Sequence, residues 1–119
     1  MIHLYTHPDC EKHELAKHPE RPDRLRAVIG RLADSGMTQE MQVNRAEEIT
    51  DRALTLVHPA GYVDSVNRSE PKEATIRLDP DTYMSPGSLR ASKLAAGACV
   101  AAISDILEQR TDRAFCAIR

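Results

Sequence analysis

Three groups of residues carry types and spacings that could do chemistry. The first is the stretch His18-Pro19-Glu20-Arg21-Pro22-Asp23-Arg24-Leu25. Two prolines three residues apart, with acids and arginines around them, cannot lie inside a helix or a central strand. They form a stiff loop that delivers a helix, with Pro22 suited to its first position and Asp23 to the positive end of its dipole. Arg21, pinned between the prolines, is either a structural tie to a buried carbonyl or carboxylate, or a binding group. The second group is His7, Cys10, His13 and His18, which could be offered as a Cys-His₃ zinc site, although no finger spacing fits and polar loop residues are the simpler reading. The third is Asp79 and Asp81 around Pro80, which serve either as turn formers or as carboxylates at the rim of a site. His58, before Pro59, reads as a junction residue bonded to backbone rather than as a base.

The totals bound what these groups can belong to. A chain of 119 residues makes at most one ordinary domain, and its 41% hydrophobic content supplies an aliphatic core with one Phe and no Trp. A formal net charge of -2 gives no electrostatic footprint for nucleic acid or an anionic membrane. Cys10, Cys99 and Cys116 lie far apart, two of them in apolar runs. That pattern fits reduced, inert core thiols in a cytoplasmic protein. No signal peptide opens the chain, and no apolar run is long enough to span a membrane.

The elements that must position the candidate residues follow from periodicity and punctuation. Met1–Tyr5 reads as a first strand, followed by a polar loop from Thr6 to Arg21. Leu25, Val28, Ile29 and Leu32 predict a helix over Pro22–Ser35, stopped by Gly36. Met41–Val43 could be a short strand. Thr50 caps a short helix, with Ile49 and Leu54 as its hydrophobic staple, and Pro59 opens another carrying Tyr62, Val63 and Val66. Arg68 to Thr75 reads as a surface loop, and Leu78 to Met84 as extended or turn-like, because Pro80 disfavours helix at Asp79.

Ser85-Pro86 predicts a helix start, as cap and first position, with the helix running to about Glu108. Ala91, Ala95, Ala98, Ala102 and Ile106 mark its packed face, and Arg90, Lys93, Asp105 and Glu108 its polar edge. Ala114–Ile118 reads as a continuous buried strand of the parallel-sheet type. Strands separated by helices imply an α/β domain with a mainly parallel sheet, whose chemistry gathers beyond the carboxyl ends of the strands. The last residue, Arg119, falls at such an end. The expectation is therefore a fold cut off midway, with an open sheet edge.

Four blocks carry a family resemblance in order: HPERPDRL, LTLVHPAGYVDSV, LDPDTYMSPGSLRASKLAAGACVAAISDILEQ and AFCAIR. Together they resemble the N-terminal part of the zinc-dependent histone deacetylase family, nearest its bacterial class II-like and acetylpolyamine amidohydrolase members. The resemblance implies an arginase–deacetylase-like fold, an open, mainly parallel sheet flanked by helices, present over residues 1–119 as the N-terminal portion of one domain. It implies hydrolysis of acetyl-lysine or acetylated polyamine amides, with zinc polarising the carbonyl, a histidine pair moving protons and a tyrosine holding the oxyanion.

In the family, AFCAIR leads into a Pro-Pro-Gly-His-His segment carrying the histidine pair, and the metal ligands and tyrosine follow later. None of these is in the 119 residues, so this chain alone is expected to hold no zinc and no catalytic residue. By resemblance, Arg21 matches an arginine lining the internal channel through which acetate leaves. Asp81, with Asp79 as its rival, falls near the rim position that holds the substrate backbone. Thr6–Lys17 matches the loop shaping the tunnel mouth, though its Leu15-Ala16-Lys17 departs from a glycine-bearing version. The expected partner is the remainder of the deacetylase domain. The alternative is a self-sufficient, non-catalytic module that self-associates through its open sheet edge, and a small metal-binding domain built on the His/Cys loop is the remotest option.

Overall fold

A computed structural model describes every residue from Met1 to Arg119. The strands are β1 (Ile2–Thr6), β2 (Met41–Arg45), β3 (Ile76–Asp79), β4 (Thr82–Met84) and β5 (Ala114–Cys116), and the helices are α1 (Pro22–Asp34), α2 (Asp51–Leu54), α3 (Ala60–Ser69) and α4 (Ser88–Leu107). β2, β1 and β5 form a parallel sheet in that spatial order, and β3 and β4 form a separate antiparallel hairpin. No helix is long and apolar enough to cross a membrane.

The parallel sheet explains the placement of the helices. The chain leaves β1 through α1 to reach β2 on one side. It then returns through α4 to β5 on the other. Right-handed crossovers in opposite directions put α1 and α4 on opposite faces. The core follows: Leu4, Leu25, Leu94, Ala98, Ala102 and Ala117 pack between strands and helices, with Ile29 and Leu32 of α1 against them.

Several local predictions hold for the reasons given. Thr50 caps α2 by accepting from the Ala53 N–H at 3.1 Å, and α1 ends where Gly36 turns left-handed at φ 77°. Others require correction. The loop after β1 contains a 3-10 turn over Pro8–Lys12, capped by the His7 ring, which accepts from the Asp9 N–H. Ser85-Pro86 does not start α4. The helix begins at Ser88 behind Gly87, whose φ of 94° no other residue adopts easily. The carboxylate of Glu70 accepts from the Gly87 and Leu89 N–H groups in the capping role assigned to Ser85. Residue 115 is not fully buried: β5 is an edge strand, and Phe115 is 43% exposed.

The largest correction concerns Asp105, placed on the polar edge but buried beneath the sheet. Its carboxylate lies 2.6 Å from His3 Nδ1, accepts from the Tyr5 hydroxyl, and pairs with Arg110 Nε at 2.6 Å. Hydrogen bonds from Tyr5 and His3, then the Arg110 charge, hold its carboxyl down to about 2, while burial and Asp105 push the Tyr5 phenol up to about 12. The helix also approaches the loop after β2 closely at Gly97. A Cβ there would lie 1.9 Å from the Glu47 carbonyl oxygen, and the neighbouring Ile49 N–H donates to the Lys93 carbonyl at 3.0 Å.

Gly97→Ala gains about 1 kcal/mol of helix propensity but drives a methyl into backbone, an overpacking that costs about 1–3 kcal/mol or more. Its melting temperature should fall. Gly30→Ala in α1, where a Cβ meets nothing within 4 Å, should raise it, stabilising by about 0.5–1 kcal/mol. For Asp105, a folded-state pKa near 2 against an ordinary 3.8 means stability present above pH 4 and lost as pH falls toward 2. Asp105→Asn should flatten that acid limb of a melting-versus-pH series. Tyr5 acts in the opposite sense: its contribution is complete below pH 10 and fades toward pH 12.

Candidate functional site

The carboxyl ends of β1, β2 and β5 lie along one edge of the sheet. The loops leaving β1 and β5 meet the β3–β4 hairpin and the start of α4 around a cleft of about 400 Å³. Its lining includes His13, His18, Asp81, Tyr83, Ser88 and Arg119. Each of these is delivered by a different local device.

The loop after β1 is tied to the head of α4 by two serines. Ser85 Oγ accepts from the Glu14 N–H and donates to the Lys12 carbonyl, both at 2.9 Å. Ser88 Oγ accepts from the Ser85 N–H at 2.7 Å and lies 2.7 Å from His13 Nδ1. Burial, then the nearby Arg119 charge, lowers the His13 pKa, so its ring is neutral at neutral pH. On the outer side, Asp9 receives Arg90 Nε at 2.7 Å and Lys12 Nζ at 3.2 Å, and those hydrogen bonds hold its carboxyl below the usual range. Gly87 is required here a second time, because a Cβ would sit 2.6 Å from that of Lys12.

The HPERP stretch fastens the other side. Its Glu20 accepts from Arg119 Nε at 2.9 Å and Nη2 at 3.2 Å, a two-pronged pair joining this loop to the residues after β5. The Arg119 side chain is only 4% exposed. The Glu20 carboxyl is lowered: partial burial opposes its charge, but the hydrogen bonds and charge of Arg119 outweigh it. Arg119 Nη1 is the one buried side-chain polar atom without a hydrogen-bond partner. Sequence reading passed over this pair because the partners are 99 positions apart. The available signal was a charged residue directly after an apolar strand.

The sequence-derived candidates are distributed unevenly. Asp81 lines the cleft and Asp79 does not. Asp79 is used by the turn: its carboxylate accepts from the Asp81 N–H and the Thr82 hydroxyl, both at 2.8 Å, and these bonds lower its pKa. The Asp81 side chain makes no such internal bond and projects from an exposed turn. Arg21 lies at the surface with its guanidinium 3.6 Å from Asp23, and the buried arginine of this region is Arg119.

No three His, Cys, Asp or Glu side chains gather closely enough to hold a metal ion. His7 and His18 spend their Nδ1 atoms accepting from the Asp9 and Glu20 N–H groups, and Cys10 is enclosed. The Cys-His₃ grouping is therefore not assembled. Nor is His58 bonded to backbone as expected; its ring leans on Tyr62, with centroids 5.1 Å apart. Cys99 is exposed, which corrects its placement in the core.

The comparisons with known proteins agree with this architecture. The model of the histone deacetylase domain family matches residues 18–119, and the chain belongs to that family. It is 38% identical over 104 residues to histone deacetylase 15 of Arabidopsis thaliana, covering 86% of this chain and 18% of that protein. It is 31% identical over 100 residues to the histone deacetylase-like amidohydrolase of Pseudomonas aeruginosa, covering 84% and 26%. Among solved structures it superposes on the crystal structure of the HDA15 HD domain with a TM-score of 0.91 and 32% identity, over 99% of this chain and 35% of that one. The chain thus has the fold of a deacetylase domain over a minor part of its relatives' length.

The Glu20–Arg119 pair can be tested directly. Glu20→Gln removes one charge of the pair and leaves Arg119 buried without a counter-ion, so amide exchange at Ala117, whose N–H donates to the Tyr5 carbonyl, should accelerate. With a depressed folded-state pKa, the Glu20 contribution is present above its ordinary value of 4.5 and lost as pH falls below it. The wild-type exchange rate should approach that of the variant at low pH, and equal rates at neutral pH would remove the clamp.

Proposed function

We propose that these residues form the N-terminal scaffold and active-site rim of a zinc-dependent deacetylase domain acting on acetyl-lysine in proteins or on acetylated polyamines. The observation that carries the reading is Asp81, a carboxylate left free by its own turn at the mouth of the cleft beyond the parallel strands. Such a group accepts N–H bonds from an extended substrate or an ammonium. The relatives bear names covering both substrate classes, including a human polyamine deacetylase that is 29% identical over 121 residues, covering 98% of this chain and 17% of that protein.

When bound, zinc supplies Lewis acidity toward the amide carbonyl. On this proposal its ligands, the histidine pair and the tyrosine lie outside these residues. This chain's own part is positional. The Ser85–Ser88 knot and the Glu20–Arg119 pair fix the loop after β1 and the end of β5, and Asp81 holds the substrate. Arg21 is carried in the proposal as an anion-guiding group of the same proline-bounded loop, and a cytoplasmic setting as the compartment of its unpaired thiols.

A second reading has its own observation. Phe115 on the unpaired edge of β5, with Ile103 and Leu107 exposed on α4, suits a non-catalytic module that self-associates. The discriminating experiment joins residues 1–119 to the remaining part of a related deacetylase domain. Zinc-dependent acetate release from an acetyl-lysine peptide or an acetylated polyamine supports the first reading; a folded but inactive chimera overturns it. A discrete oligomer of the 119-residue chain alone supports the second.

In an active chimera, Asp81→Ala loses a charge-assisted bond worth about 1.5–3 kcal/mol and should raise KM about 10- to 100-fold with kcat little changed. Asp79→Ala should lower the melting temperature instead. Arg21→Ala should slow turnover without altering KM, and unchanged kinetics would withdraw its assignment.

A further inference from the structure

We propose that His13 and His18 form an amide-recognition pair on the wall of the cleft. His13 Nε2 accepts an N–H of the ligand, and the Nε2–H of His18 donates to a ligand carbonyl. The ligand class this selects is an extended peptide, in preference to an acetylated polyamine. The choice between those two substrates rests on the deacetylase reading; the site itself rests on the hydrogen bonds of the two rings. Both residues line the same cleft of about 400 Å³, and both are half-buried. Each ties one ring nitrogen to the wall and keeps the other free.

Proton counting in the serine knot assigns the His13 ring. The Ser85 hydroxyl has one proton, and the Lys12 carbonyl at 2.9 Å, which can only accept, takes it. The contact between the Ser85 and Ser88 hydroxyls at 3.0 Å must then use the Ser88 proton. Ser88 Oγ is left with lone pairs: one accepts the Ser85 N–H and the other faces His13 Nδ1, both at 2.7 Å. His13 Nδ1 therefore carries the proton. No other assignment gives every contact of the knot one. Burial, then the Arg119 charge, keeps the ring neutral, so its Nε2 is a bare acceptor. His18 is the reverse case. Its Nδ1 accepts the Glu20 N–H at 3.0 Å, which a protonated nitrogen cannot do, so its proton is on Nε2. Neither Nε2 has a partner within the fold, and neither is enclosed: the one enclosed side-chain polar atom without a partner is Arg119 Nη1.

A free acceptor and a free donor in one cleft match a peptide. In an extended chain the N–H and C=O of one residue point to the same side, as they do toward a neighbouring strand. A polyamine arm carries ammonium groups, which only donate, and the one carbonyl of an acetylated polyamine belongs to the amide that is cleaved. Such a ligand can satisfy His13 and leaves the His18 N–H unmatched. A site built to bond two polar groups discriminates against a ligand that lacks one.

The experiment records proton–nitrogen correlation spectra of the imidazole rings in the 119-residue chain, prepared with isotope-labelled histidine, at neutral pH. The chain is then titrated with a tripeptide blocked at both ends around a central acetyl-lysine, and separately with N-acetylputrescine. His13 should appear as the Nδ1–H tautomer and His18 as the Nε2–H tautomer. The peptide should shift both Nε2 signals, and the polyamine should leave that of His18 in place. His18→Phe keeps a ring against Tyr83 and removes the donor; it should weaken peptide binding about 3- to 10-fold and leave polyamine binding unchanged. A proton on His13 Nε2, a peptide that moves neither signal, or an equal response of His18 to both ligands would each overturn the proposal. An inactive chimera beside a chain that shows the expected shifts would remove the deacetylase reading and leave the amide site standing. An active chimera with His13 protonated on Nε2 would do the reverse.

Discussion

The buried carboxylate of Asp105 is the interaction on which the rest of the structure depends. It joins the longest helix to the central strand of the sheet through two side chains of β1, His3 and Tyr5, two residues apart and so on one face. A carboxylate removed from water is costly unless its oxygens are well supplied with donors. Here Tyr5, His3 and Arg110 supply them, and the depressed pKa records that the charged form prevails. An apolar residue could fill the space, but it would not select one position of α4 along β1. The selection matters because the same helix must meet Glu47 at Gly97 and Lys12 at Gly87, where a Cβ would collide.

With α4 fixed, the topology produces the cleft. Strands β2 and β5 flank β1 and are reached by crossovers of opposite direction, so the chain turns to opposite faces at the carboxyl edge, where the loop after β1, the segment after β5, the β3–β4 hairpin and the head of α4 border a crevice. A crevice lined by loops keeps its shape only if the loops are held. The two serines at the head of α4 hold one wall and the Glu20–Arg119 pair holds the other. Both ties join elements distant in sequence.

That distance explains what could and could not be read from the residues. Periodicity and caps are local, so α1, the Thr50 cap of α2, the Pro59 start of α3 and the end of α4 were legible, and the alternation of strands and helices implied the parallel sheet. The family resemblance was legible because it rests on four ordered blocks. Asp105 was misread because a helical wheel assigns an acid to the polar edge and cannot see the two donors waiting on β1. Ser85 was misread because Ser-Pro has the form of a cap, while the donors at the helix start face Glu70 and the serine hydroxyl faces Lys12. Arg21 drew attention for its stiff loop, yet the buried guanidinium is that of Arg119, paired to the neighbouring residue of that loop.

Hydrogen-bond accounting separates scaffold from site more sharply than residue type does. Buried polar groups in a folded chain are nearly always paired, and around the cleft the two serines, His13 and Glu20 are all paired. Such groups hold the walls. Among the groups left without a partner are the carboxylate of Asp81 at the rim and the buried Nη1 of Arg119. One is an acceptor facing outward; the other is a donor enclosed at the carboxyl end of β5. A free acceptor at the mouth and an enclosed, unpaired donor at the end of β5 are polar groups whose partners the surrounding walls do not supply.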